Sequence, residues 1–78
     1  MITIDGPQQV YPYDIAEYKV LNAQGGTWSL NNTLACIIDS NDLGARIQIK
    51  TGKSGKTSLI YTTKDNKDIV CNIEILSL

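Results

Sequence analysis

The residues with the most chemical promise are Gly52-Lys53-Ser54-Gly55-Lys56-Thr57, whose Gly-Lys-Thr ending mimics a phosphate-binding loop. That loop needs a further glycine five residues before the Gly of the triplet and a helix after it, whose N-terminal N–H groups receive the phosphate. Here the earlier place is held by Lys50, and Ser58-Leu59-Ile60-Tyr61 reads as a strand. The segment is expected to be a Gly-rich β-turn. Asp39-Ser40-Asn41-Asp42-Leu43-Gly44 resembles the start of a calcium loop, but Leu43 stands at the fifth ligand place and Lys50 where a bidentate Glu is required. An Asx-rich turn is the expected reading; a weak cation site of Asp39, Asn41 and Asp42 is the alternative.

Nucleophilic and acid–base chemistry lack their usual parts. The chain has no histidine, hence neither the commonest general base nor the commonest metal ligand. No serine has a His partner for acyl transfer. Cys36 and Cys71 have no neighbouring imidazole to make a thiolate. They could form a bridge if their Cα atoms came within about 7 Å. Trp28 precedes both, unlike the antibody arrangement with tryptophan between the cysteines, so Cys71 is expected to be a small buried hydrophobe instead. The carboxylates Asp5, Asp14, Glu17, Asp39, Asp42, Asp65, Asp68 and Glu74 fall on turns or outward strand positions, not in flanking pairs. The expectation is no enzyme, no cofactor and no metal.

Binding chemistry is sparse as well. Seven basic against eight acidic residues leave a net charge of −1, with no surplus of Lys and Arg to neutralise phosphates, so a nucleic-acid partner is not expected. Lys50, Lys53 and Lys56 form a solvated basic turn. Asn31-Asn32-Thr33 is a glycosylation sequon, which matters only in a eukaryotic secretory host. Trp28, Tyr18 and Tyr61 fall on inward strand positions. Tyr11 and Tyr13 are the plausible surface rings; being two apart on an extended segment, they are expected on one side of it as a candidate ligand platform.

The elements that would position these groups are all strands. Hydrophobic residues are 42% of the chain and charged residues 19%, a globular balance. No apolar run approaches the roughly 20 residues of a membrane span, so no membrane partner is expected. Met1 to Asp5 lacks the basic head and apolar stretch of a signal peptide, so export would be directed by another part of a longer chain or by packaging into a particle. Alternating or apolar runs at Ile2–Ile4, Val10–Tyr13, Ile15–Leu21, Thr27–Leu30, Leu34–Asp39, Ala45–Lys50, Thr57–Thr63 and Ile69–Leu76 are divided by turn residues. For Leu34–Asp39 both faces are apolar and the inward one is not decided. No segment carries helix periodicity with caps. About seven strands in so short a chain must close into two packed antiparallel sheets, with little or no helix.

On Ile4-Asp5-Gly6-Pro7 with Val10 and Tyr13, Tyr18-Lys19-Val20, Gly26-Thr27-Trp28-Ser29 and Thr51-Gly52-Lys53-Ser54-Gly55 leading to Leu59-Ile60-Tyr61, the chain resembles bacterial immunoglobulin-like (group 2) domains. The resemblance covers nearly the whole chain. It implies a single immunoglobulin-like β-sandwich over residues 1–78, an excised C-terminal module of a longer protein. It further implies a non-catalytic structural or display module of a phage or prophage capsid or tail protein, located on a virion or cell surface. Its partners would be neighbouring domains of the parent protein or virion, with weak attachment to bacterial cell-wall glycans. The alternative is an adhesion or carbohydrate-binding module of a bacterial surface or secreted protein, using Tyr11 and Tyr13.

Overall fold

The computed structural model describes residues 1–41 and 44–77. They form eight strands and no helix: β1 (Thr3–Asp5), β2 (Gln9–Val10), β3 (Ile15–Leu21), β4 (Thr27–Leu30), β5 (Ala35–Asn41), β6 (Arg46–Thr51), β7 (Gly55–Thr62) and β8 (Asp68–Ile75). Two four-stranded sheets result, with orders β1-β3-β6-β5 and β2-β8-β7-β4.

Period-two hydrophobicity decides which face is covered. In β3, Ala16, Tyr18 and Val20 are buried while Ile15, Glu17, Lys19 and Leu21 are exposed. Its neighbour β6 sets Ile47 opposite Tyr18 and Ile49 opposite Ala16. The second sheet answers with Leu59 opposite Cys71 and Thr57 opposite Ile73. These inward rows, with Val10, Ala35 and Ile75, make one core between the sheets. Each fully buried aliphatic side chain contributes roughly 1.5–3 kcal/mol relative to exposure. Trp28 and Leu30 also face inward but are only half-buried at the rim. The Trp28 ring meets Tyr61 edge-on at 4.8 Å, and its indole N–H donates to the Gly44 carbonyl at 2.6 Å.

The eight strands match the eight runs of the sequence, but other expectations need correction. The first two strands part, β1 to the edge of one sheet and β2 to the edge of the other. Pro7 lacks the N–H a ladder requires. Gly6 lies against the Tyr18 ring, where an added Cβ would sit 2.3 Å from a ring carbon. Nor are all pairings antiparallel, since β2 runs parallel to β8. The chain changes sheets here without reversing direction, and a parallel edge pair follows. In β5 the inward residue is Ala35; a register shift between Ile37 and Asp39 turns Ile37 and Ile38 partly out to solvent. The strand also runs on through Asn41, where a turn was expected from Ser40.

The sandwich is a rod with extents of 38 × 19 × 18 Å. Thr3 pairs with Leu21, residues 22–26 then lead to Thr27, and Thr27 lies opposite Thr62, itself opposite Asp68. The starts of β1 and β8 therefore share one pole. At the other, Val10 lies beside Ile75, and Ile75 opposite Gly55. Residues 11–14 and 52–54 cap this second pole, beside the end of β8.

Candidate functional site

Tyr11 and Tyr13 sit at that second pole, and the extended segment expected there is not formed. The chain turns at Pro12 and Tyr13, and Tyr13 has a φ of 58°. Both rings are nonetheless exposed, at 58% and 69%, and neither contacts another aromatic ring among the described residues. Expected exposure is thus present, but the period-two reason for a shared side is not.

The turn is held from below by Thr51, a buried polar residue at the end of β6. Its Oγ1 donates to the Tyr11 carbonyl at 2.6 Å and accepts from the Asp14 N–H at 3.0 Å. The Thr51 N–H donates to the Asp14 carbonyl at 2.8 Å, and the Tyr13 N–H to the Gly52 carbonyl at 3.2 Å. Asp14 Oδ1 accepts from the Ile15 N–H at 2.8 Å, starting β3 with an Asx-type bond. A threonine hydroxyl can both donate and accept, which is why one buried side chain ties both ends of the Tyr11–Asp14 turn. Sequence reading missed Thr51. Its only trace is a polar residue continuing the inward row of Ile47 and Ile49.

A second feature lies on the outer face of the β2-β8-β7-β4 sheet, an open trough of about 690 Å³ lined by Gln9, Asn31, Lys56, Ser58, Asn72 and Glu74 among others. Its polar groups are bonded mostly to one another. Gln9 Nε2 donates to Glu74 Oε1 at 3.1 Å and Ser58 Oγ to Asn72 Oδ1 at 2.9 Å. Asn31, the acceptor of the sequon, takes the Ser58 N–H at 2.9 Å and the Thr57 hydroxyl at 3.2 Å on its Oδ1. The asparagine oxygen thereby anchors the first half of β7. The trough was also not anticipated, though its residues are the polar half of the same alternation.

The remaining motifs resolve into structure. Gly52–Thr57 spans the turn between β6 and β7 and the first residues of β7, with no helix. Asp39 and Asn41 fall within β5, while Asp42 lies outside the described residues. Among the described residues no three of His, Cys, Asp and Glu gather closely enough to hold a metal ion. The cysteines belong to opposite sheets and are unbridged: Cys36 is exposed on β5 and Cys71 buried on β8.

Burial raises the Cys71 thiol above its ordinary 9.0, which keeps it protonated and unreactive. Burial likewise raises the Tyr18 phenol above 10.0, with the adjacent Cys71 thiolate adding a smaller repulsion. In both cases the unfolded chain gives up its proton at lower pH than the folded one. Their contribution to stability is therefore full below about pH 9 and is lost as pH rises past 9 for Cys71 and past 10 for Tyr18. Urea midpoints measured between pH 8 and 11 should show this fall, reduced in Cys71→Ala and in Tyr18→Phe. A pH-independent midpoint would mean that neither group is as buried as described.

Compared with known protein families, curated proteins and solved structures, the chain matches none.

Proposed function

We propose that this chain is a non-catalytic spacer or display module of a phage or prophage virion protein, built on an immunoglobulin-like sandwich. The observation that carries the reading is the path of the chain. β1 starts at one pole of the 38 Å rod and β8 ends at the other, so a polypeptide threading the domain gains its full length. Strand order supports the immunoglobulin-like part: β1-β3-β6-β5 and β4-β7-β8 follow the ABED and CFG orders of constant-type domains, with β2 added beside β8. Two copies joined head to tail should have a maximum dimension in X-ray scattering about twice the 38 Å of one. A tandem no longer than a single copy would overturn the spacer reading.

One observation favours a second reading, an adhesion or carbohydrate-binding module of a bacterial surface or secreted protein. Tyr11 and Tyr13 expose most of their surface. Saturable binding to bacterial cell-wall glycans, lost on Tyr11→Ala, would place this reading first.

A further inference from the structure

Three described non-glycine residues have positive φ: Asn22 at 70°, Asn66 at 64° and Tyr13 at 58°. Asparagine tolerates that left-handed region because its short side chain bonds locally. Tyrosine does not. A bulky side chain there is strained. Such strain persists only where the surroundings over-determine it, as Thr51 and Gly52 do here. Folding recovers little from the ring itself, which is 69% exposed with no hydrogen bond from its hydroxyl among the described residues. Gly or Asn would serve the turn better.

A side chain that strains the backbone and packs on little has its use outside the fold. Resting on the glycan-adhesion reading, we propose that Tyr13 is a saccharide-binding residue. Thr51 holds the strained turn through the Tyr11 carbonyl and the Asp14 N–H, which keeps the exposed Tyr13 ring presented for a sugar ring to stack on. Tyrosine suits this because it offers a flat apolar face and a polar tip with few rotatable bonds, so little order is lost on binding. A protein partner fits less well. A stable protein interface buries about 800 Å² per side. Here the exposed apolar groups are Tyr11, Tyr13 and Ile15, edged by Asp14 and Lys53.

The test uses Gram-positive cell walls stripped of protein by protease digestion, with wild type, Tyr13→Gly, Tyr13→Asn and Tyr11→Ala compared in sedimentation binding. Wild type is expected to bind saturably and each variant about tenfold more weakly. Meanwhile Tyr13→Gly and Tyr13→Asn should keep or raise the melting temperature, because they relieve the strain. Full binding by both Tyr13 variants would overturn this inference while leaving the adhesion reading intact. Failure of wild type to bind stripped walls would overturn both, as would binding seen only before protease digestion. A clear fall in melting temperature for Tyr13→Gly would show that the ring serves the fold, and would overturn the inference by itself.

Discussion

Tyr18→Ala should leave the domain largely unfolded at room temperature. Tyr18 is fully buried on β3, between Ile47 of the neighbouring strand and the facing sheet, and Gly6 lies directly on its ring. Removing a buried aromatic ring costs about 3–5 kcal/mol, the lost transfer energy plus the cavity left behind. One core in a chain of this length rarely supplies more than that. The hydroxyl is a lesser matter. It donates to the Pro7 carbonyl at 2.6 Å, fixing the crossing from β1 to β2, and Tyr18→Phe should cost about 1 kcal/mol. Urea titration followed by fluorescence of Trp28, the chain's only tryptophan, separates the two. Equal losses in both variants would mean that the hydrogen bond, not the ring, holds the core.

Gly26→Ala should be nearly as damaging, though it adds only a methyl group. The new Cβ would sit 2.3 Å from the Thr62 carbonyl oxygen and 2.7 Å from the Tyr61 hydroxyl. The carbonyl belongs to β7 and cannot withdraw without disturbing that strand. The hydroxyl accepts the Gly26 N–H at 2.8 Å, and the ring behind it packs edge-on against Trp28. Overpacking of this kind costs about 3 kcal/mol, or on the order of 15 °C in melting temperature for so small a domain. Gly44→Ala is the comparison. Its φ of 81° disfavours any side chain, yet its nearest clash is a milder 3.3 Å, so a loss of about 1 kcal/mol is expected. If Gly44→Ala proved the more harmful, backbone conformation rather than close approach would govern this pole.

The candidate site was legible in part. Tyr11 and Tyr13 could be singled out because every other large ring falls on an inward strand position, whereas these flank a proline between strands. Their arrangement could not be read, since it depends on Thr51, 40 residues beyond Tyr11. The outer trough escaped for a similar reason: Gln9 and Glu74 meet across 65 residues, through the parallel pair of β2 and β8.

What the sequence by itself determined is the two-sheet, all-β character of the chain and most of its core. Ala16-Tyr18-Val20, Ile47-Ile49 and Cys71-Ile73-Ile75 each alternate with polar neighbours, Leu59 and Tyr61 keep the same period around the half-buried Ile60, and alternation is a local property set by the pleat of an extended backbone. Only the tertiary structure decided that β2 runs parallel to β8, that Ala35 is the residue β5 gives to the core, and that Tyr13 adopts a left-handed turn. Each of these is fixed by partners distant along the chain, whose backbone groups must be satisfied once burial removes them from water. A pattern confined to neighbouring residues carries no record of such partners.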